Sequence, residues 1–473
     1  CLSQKGGFIE MKIAIIGGGP GGYYAAIRAA QLNAEVTLIE KEHIGGTCLN
    51  KGCIPTKVLL HAAGEYENIN KNLKDYGIKI TGAELDWDKL QKRKTIIVRK
   101  LIAGVDNLLK NNKVTKIMGE GSFVNKNQLN VKADDGTETI VDFDYAVIAT
   151  GSKPVIIPIP GIELPGVVTS DEVLSLKEIP SSMVIIGGGV IGSEFAAVFG
   201  ALGCKVTIIE MLPNIVANMD QDIVAPLKEK FKKNGIEIYT DTKVVSISKA
   251  EEGLRVNTLS GGEEKSFNAE KVLLSIGRKP VTDNLALKNV GIETNRGAIA
   301  VNKNMQTNVE NIYAIGDATA GVMLAHVASA EGIVAVESIM NKKSSIDFKT
   351  IPYCVYTKPE LAGVGLTEEQ AREEGYDVKT GVFPMNLNGK AMIEAEQEGL
   401  VKYVIDAKTG EVLGLHMSGP SATELIAEGA LAVRLEATID EITSTIHAHP
   451  TVAESLHEAA HAVSNNAIHI PKQ

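Results

Sequence analysis

A short apolar strand, a glycine-rich turn, an alanine-rich helix and a second strand closing on an acid occur twice in this chain, and few folds accept that order. The first copy runs from Lys12 to Ile16, through Gly17-Gly18-Gly19-Pro20-Gly21-Gly22 and a helix, to a strand from Glu35 to Ile39 that ends in Glu40. The second runs from Met183 to Ile186, through Gly187-Gly188-Gly189-Val190-Ile191-Gly192 and a helix containing Phe195 and Ala201, to Lys205 through Ile209 and Glu210. Glycines and acid are displaced by the same 170 positions. This is the pattern of a dinucleotide cradle. Gly17 and Gly187 permit the tight turn, Gly19 and Gly189 let the backbone approach a pyrophosphate, Gly22 and Gly192 let the helix pack closely, and Glu40 and Glu210 meet a ribose hydroxyl. The helix start after each turn offers partial positive charge to phosphates. One such turn is weak evidence. Two in matching context specify an α/β chain with two Rossmann-like domains.

At 473 residues the chain exceeds what one core supports. Three further strand ends resemble one another: Val147-Ile148-Ala149-Thr150-Gly151, Leu274-Ser275-Ile276-Gly277-Arg278 and Tyr313-Ala314-Ile315-Gly316-Asp317. They read as strands returning each nucleotide domain to its ligand edge, with Asp317 suited to a hydroxyl of the first cofactor. From Ile351 the character changes, with strand-like Val401 to Ile405 and Val412 to Met417 preceding helical patterns over Ala422 to Leu435 and Thr451 to Val463. The expected division is a linker or remnant at 1–10, a first nucleotide domain at 11–150, a second inserted at 151–280, a return at 281–350, and an α+β terminal domain at 351–470.

Composition narrows the classes. A hydrophobic fraction of 44% with 46 glycines and 4% aromatics suits a glycine-turned α/β protein. A net charge of -10 argues against a nucleic-acid surface. No apolar stretch approaches the roughly 18 residues that span a membrane, and no signal peptide is recognisable. Five cysteines do not make a secreted disulfide framework in a chain this long. The expected location is the cytoplasm.

Two of those cysteines carry the chemistry. Cys48 and Cys53 lie in Gly45-Gly46-Thr47-Cys48-Leu49-Asn50-Lys51-Gly52-Cys53-Ile54-Pro55-Thr56-Lys57, directly after the first nucleotide unit. A disulfide needs its α-carbons within roughly 7 Å, which four intervening residues achieve if Gly52 and Pro55 help turn the chain into a helix. A thiol near a helix start ionises more easily, and the thiolate is the reactive form. Thiols exchange electrons in pairs, a nicotinamide carries hydride, and a flavin mediates between them. FAD is therefore expected at the first site and NAD at the second. Glu210 favours NAD over NADP, because a carboxylate repels a 2'-phosphate, and Met211-Leu212-Pro213 offers no arginine to receive one. Near the other end, His449-Pro450-Thr451-Val452-Ala453-Glu454 supplies a histidine able to deprotonate an incoming dithiol and a glutamate to orient it.

Together these residues resemble the pyridine nucleotide-disulfide oxidoreductase family over residues 11 to 470, and within it the branch acting on dihydrolipoyl groups. The Cys48 to Lys57 and His449 to Glu454 segments are the most specific parts of the likeness. The resemblance implies that Cys48 is the interchange thiol and Cys53 the thiol beside the flavin, that Lys57 sits by the flavin ring, and that Glu194 lies near the nicotinamide. It assigns Glu40, Gly121, Thr150, Gly151, Ser152, Asp317 and Met323-Leu324-Ala325-His326 to FAD. It assigns Gly187 to Glu194, Glu210, Val244 and Gly277 to NAD. It further implies a homodimer built on the terminal domain, in which His449 and Glu454 act on the other chain's Cys48. A lipoyl group on a carrier domain would be the substrate, in a 2-oxoacid dehydrogenase or glycine-cleavage complex. Asn388-Gly389-Lys390-Ala391 lacks the arginine associated with this neighbourhood of the family.

Other signals carry less. His457-Glu458-Ala459-Ala460-His461 matches a zinc motif by spacing, but it falls in the helix after the proposed histidine, and no metal is expected. Cys204 and Cys354 read as small buried residues. Lys228-Glu229-Lys230-Phe231-Lys232-Lys233 reads as a solvated helix face. A related disulfide or mercuric-ion reductase, and a non-catalytic redox-sensing subunit, remain alternatives at this point.

Overall fold

The computed structural model describes residues 11–71 and 76–471, so the expected linker at 1–10 lies outside the described residues. Two compact units result, each drawn from three stretches of chain.

The first unit comprises, among the described residues, 11–55, 91–155 and 277–346. Its centre is a five-stranded parallel sheet in the order Ile312–Ala314, Tyr145–Ile148, Lys12–Ile16, Glu35–Glu40, Thr115–Met118. Strand order reverses beside Lys12–Ile16, which opens the crevice where ligands bind such sheets. The strands are apolar runs because helices cover them: Ile13, Ile15, Leu38 and Val147 are buried against Ala25, Ala26 and Ala29 of the helix Pro20–Gln31. That helix packs on Ala325–Ile339, where glycines allow the approach; a Cβ on Gly332 would stand 2.5 Å from the Gly21 carbonyl oxygen. A three-stranded antiparallel sheet, Glu120–Asn125, Gln128–Lys132 and Glu138–Asp142, adds a second core around Phe123, Leu129 and Phe143.

The second unit comprises the described residues of 56–90, 156–276 and 347–471. It repeats the parallel sheet in the order Glu237–Tyr239, Lys205–Ile209, Ser182–Ile186, Lys271–Leu274, Val167–Thr169. The stretch 56–90 belongs here because Leu59, Ala63, Trp87 and Leu90 share one apolar cluster with Phe195 and Phe199. The unit's later part is a five-stranded antiparallel sheet: Tyr353–Val355, Glu360–Gly365, Val412–Gly419, Leu400–Asp406 and Val378–Pro384. All eight residues of the central Val412–Gly419 are buried. Helices Ala422–Arg434 and Glu454–Ala462 close its core. The last of these begins at Glu454, three residues later than the sequence pattern suggests, because Thr451 to Ala453 form a turn.

Candidate functional site

Both glycine turns are sterically committed. Gly17 has φ +109°, and a Cβ there would fall 2.2 Å from the Ala149 oxygen; one on Gly22 would fall 1.8 Å from the Gly17 oxygen. In the second copy Gly187 has φ +101° and a Cβ on Gly192 would lie 2.0 Å from the Gly187 oxygen. Only glycine meets these demands. A Cβ on Gly189, by contrast, would meet nothing within 4 Å, leaving that backbone open to a ligand. The helices Pro20–Gln31 and Val190–Ala201, which carry Ile191 in the second copy, start without a side-chain cap, so their first N–H groups are available to phosphates.

The two acids do more than sequence reading assigns them. Glu40 accepts hydrogen bonds from the Gly18 N–H at 2.6 Å and the Glu42 N–H at 2.7 Å. Glu210 does the same with Gly188 at 2.6 Å and Leu212 at 2.8 Å. Each carboxylate thus braces the turn beside it while standing at the strand end. Met211 and Leu212 are exposed past Glu210.

In the first unit Gly17, Glu40, Lys41, Gly121, Thr150 and Asn284 line one cleft. The Thr150 hydroxyl is buried there without a hydrogen-bond partner, a state that a bound polar ligand relieves. The residues present therefore fit a dinucleotide. Gly151 follows with φ +69°. Ser152, which the resemblance assigns to FAD together with Asp317, donates its hydroxyl hydrogen to Asp317. Sequence reading missed the third member: Arg278 donates to the Ser152 hydroxyl and carbonyl oxygens, both at 2.8 Å. It also missed Glu331, buried, which accepts from the Gly316 N–H. Burial raises the Glu331 carboxyl; the Gly316 bond opposes this and neighbouring Asp317 adds to it. Met323 to His326 lie at the start of helix Ala325–Ile339. Gly277 belongs to the first unit's third stretch, its carbonyl accepting from Val155, although it was expected with the second nucleotide. Val244 is buried in strand Lys243–Lys249 of the second unit.

The cysteine segment folds as two helices with a break. Gly45, at φ +90°, starts the short helix Gly46–Lys51, which carries Cys48. Gly52 ends it, and Cys53 begins the helix Cys53–Lys71. Asn50 ties the turn by donating to the Ile44 and Gly46 carbonyls. Both cysteines are half-buried, and Cys53 has the helix-start position that favours a thiolate. Tyr23 is a neighbour of Cys48; burial first, then Tyr24 and Cys48, push its hydroxyl up to about 12. Cys204 and Cys354 differ: burial pushes their thiols up to about 12 and about 11, which leaves them protonated and inert at neutral pH.

In the second unit, Lys57 is paired through its ammonium with both oxygens of buried Glu194 at 2.8 Å. His449 has an exposed ring, and its Nδ1 is bonded to Glu454 Oε1 at 2.9 Å. Glu454 also accepts from the Thr451 N–H at 2.9 Å. Burial pushes its carboxyl up, but Thr451 and His449 outweigh that and hold it below the usual range. An ionised Glu454 thus fixes the imidazole and leaves Nε2 for a proton. Glu458 of the zinc-like motif is occupied by His469 and two backbone N–H groups. Among the described residues no three or more His, Cys, Asp or Glu side chains form a metal-holding group.

Two nucleotide cradles and a cysteine pair on adjoining helices define a flavoprotein disulfide oxidoreductase that uses a nicotinamide. Residues 11–332 match the family model for pyridine nucleotide-disulphide oxidoreductases and 351–460 match that family's dimerisation domain. The chain belongs to the pyridine nucleotide-disulphide oxidoreductase family, and its cofactors are FAD and NAD. It is 42% identical to a dihydrolipoyl dehydrogenase of Bacillus subtilis, covering 88% of this chain and 90% of that protein. It is 41% identical to the mitochondrial dihydrolipoyl dehydrogenase 1 of Arabidopsis thaliana, covering 98% and 92%. Among solved structures it resembles the HOCl-induced flavoprotein disulfide reductase RclA of Escherichia coli, with TM-score 0.85, 31% identity, and coverage of 96% and 99%. Among the described residues no helix is long and apolar enough to cross a membrane.

Proposed function

We propose that the chain is a dihydrolipoyl dehydrogenase that reoxidises dihydrolipoyl groups at the expense of NAD. The observation that carries this reading is the Cys48–Cys53 pair at a helix break, directly after one of two nucleotide cradles. Likeness to dihydrolipoyl dehydrogenases of bacteria and plants supports the choice of substrate. Bound FAD supplies the two-electron relay and bound NAD accepts the hydride. A substrate thiolate attacks Cys48 Sγ in the Cys48–Cys53 disulfide, forming a mixed disulfide and releasing Cys53 as thiolate. The substrate's second thiol loses its proton to His449 Nε2 and displaces Cys48, leaving a lipoyl disulfide and two reduced cysteines. Glu454 holds the imidazole in the tautomer that accepts this proton.

The match to a dimerisation domain and the exposure of His449 support a homodimer in which His449 and Glu454 serve the partner subunit's Cys48. Lys57 and Glu194 act by the flavin and the nicotinamide, and residues 11–150, 151–280, 281–350 and 351–470 form the functional divisions. The fitting partner is a lipoyl carrier domain of a 2-oxoacid dehydrogenase or glycine-cleavage complex, in the cytoplasm, where the dithiol stays reducible.

The test is NAD reduction by dihydrolipoamide with the purified yellow protein and with Cys48→Ser. Turnover that disappears in a variant still carrying flavin supports the reading. Unchanged turnover in the variant removes Cys48 from the mechanism. Absent turnover in the yellow wild-type enzyme, with NADH-dependent reduction of another disulfide, assigns a different substrate.

A further inference from the structure

The Lys57–Glu194 pair has a third member from a distant part of the second unit. The Lys57 ammonium stands over the Tyr356 ring, 4.5 Å from its centroid. The Tyr356 backbone N–H donates to Glu194 Oε1 at 3.1 Å. One residue thus grips both ends of the ion pair, its ring on the cation and its amide on the carboxylate. Tyr356 follows strand Tyr353–Val355, 162 positions beyond Glu194. It is 40% exposed, so apolar burial alone does not account for the placement of its ring.

Placement along the chain gives the pair its leverage. Lys57 lies one helical turn after Cys53 in the same helix, and Glu194 lies two residues after Gly192 in the helix that opens at the second glycine turn. A lysine side chain is flexible and strongly hydrated, so its ordering must come from its neighbours. Buried Glu194 fixes one side of the ammonium. An aromatic face within 6 Å attracts the cation and keeps water from it.

We propose that Tyr356 is a positioning residue that holds Lys57 against Glu194, and that hydride exchange between the flavin and the nicotinamide depends on the pair being held. The proposal deepens the function above and rests on its placement of Lys57 and Glu194. The contact to the Lys57 ammonium is made by the ring face, which phenylalanine shares. Replacement by phenylalanine therefore keeps the device and replacement by leucine removes it. The Glu194 bond to the backbone survives both changes, so the loss in Tyr356→Leu reports the ring.

The experiment uses the flavin-loaded protein as wild type, Tyr356→Leu and Tyr356→Phe, with two readouts. The first is acetylation of Lys57 by acetic anhydride, followed by peptide mass spectrometry. Tyr356→Leu is expected to label roughly fivefold faster, equivalent to about 1 kcal/mol of lost cation–π attraction, while Tyr356→Phe matches wild type. The second is single-turnover bleaching of the flavin by NADH, expected to slow in Tyr356→Leu by a similar factor and to be restored in Tyr356→Phe. Unchanged Lys57 labelling in Tyr356→Leu, or equal effects in both variants, overturns the proposal. If Tyr356→Leu fails to retain flavin, Tyr356→Met, which keeps an extended apolar side chain without a ring, is read by the same criteria. Neither readout uses a dihydrolipoyl substrate, so failure of wild-type dihydrolipoamide turnover condemns the substrate assignment alone.

Discussion

Lys402 is the most consequential charge in the second unit outside the proposed chemistry. Its side chain is 4% exposed, and its ammonium meets Asp222 at 2.6 Å, Glu368 at 3.0 Å and Asp220 at 3.1 Å. Burial pushes its ammonium toward neutrality, but the three carboxylates overcome this and hold it above the ordinary lysine value. The perturbation is Lys402→Met, close in volume and without charge. Removing one member of a buried ion pair costs about 3 to 5 kcal/mol, because the remaining charge stays buried and unpaired. Here Asp222 is 62% and Glu368 32% exposed at the side chain, and both can turn to water. Asp220 is 6% exposed and cannot, although its bond from the Asp222 N–H remains. The low end of the range applies, about 3 kcal/mol.

Urea unfolding followed through Trp87 measures this, since it is the sole tryptophan and lies buried in the same unit against Phe199. With a slope of about 3 kcal/mol per molar for a large unit, the midpoint falls by roughly 1 M. The pH dependence adds a sharper test. His416 is fully enclosed nearby, and its Nε2 faces the Leu366 carbonyl at 2.9 Å, so Nε2 carries the hydrogen and Nδ1 is bare. Burial, aided by Lys402, depresses its folded pKa below the unfolded value. The unfolded chain then binds the proton first, so this contribution to stability is present above about pH 6.5 and lost as pH falls. Without Lys402, Asp220 and Asp222 favour a charged His416, and the folded state takes up a proton in its place. The deficit of Lys402→Met is therefore expected to shrink between pH 7.5 and pH 5.5. A midpoint shift below about 0.3 M refutes the buried-charge argument, and a deficit that is constant with pH refutes the His416 coupling.

Three further outcomes follow from single sites. Tyr403 is fully buried, and its hydroxyl has no partner, so Tyr403→Phe is expected within about 1 kcal/mol of wild type or above it; a loss beyond about 2 kcal/mol in urea unfolding refutes this. Glu331→Ala leaves the Gly316 N–H unpaired and should cost about 1 to 3 kcal/mol. Glu331→Gln keeps an acceptor and removes a carboxyl whose folded pKa is raised. A raised carboxyl contributes stability below its unfolded pKa that is lost as pH rises through the folded value. The Gln variant should thus gain on wild type between pH 4 and pH 8, and a pH-independent difference in thermal unfolding counts against the linkage. Gly17→Ala must place a Cβ 2.2 Å from the Ala149 oxygen at φ +109°; the φ strain alone costs about 1 to 2 kcal/mol, and a colourless protein is expected, whereas full flavin content defeats the steric argument.

What could be read from sequence is what neighbours in sequence enforce. The glycine turns, their acids and the Cys48–Cys53 helix break are each complete within about thirty residues, and local sterics leave few alternatives. Ser152, Asp317 and Arg278 were harder, because the resemblance assigns the first two to FAD without pairing them, and the guanidinium contact spans 126 positions and has no local signature. Lys402 was invisible for a different reason. A lysine within an apolar strand reads as a residue pointing to water, yet here it points to three carboxylates delivered by two other elements. Tyr356 belongs to the same class. Nothing in Tyr-Thr-Lys-Pro announces a partner for Lys57.

The acids at the strand ends join these two kinds of knowledge. Sequence reading gives Glu40 and Glu210 one task, a ribose hydroxyl, and the fold gives each a second: both oxygens accept backbone N–H groups of the loops they adjoin. A carboxylate has about four acceptor positions, so two backbone bonds leave capacity for a ligand. The loop's shape and the ligand's grip then depend on one charge. Replacing Glu210 by Gln keeps an acceptor oxygen but turns the other end into a donor facing the Leu212 or Gly188 N–H. Donor meets donor, and the turn must open. Loss of NAD affinity in Glu210→Gln is therefore expected to come with looser protection of the Gly188 or Leu212 amide in hydrogen exchange. A variant that loses NAD while both amides stay protected separates the two tasks and shows that the ribose contact alone sets affinity.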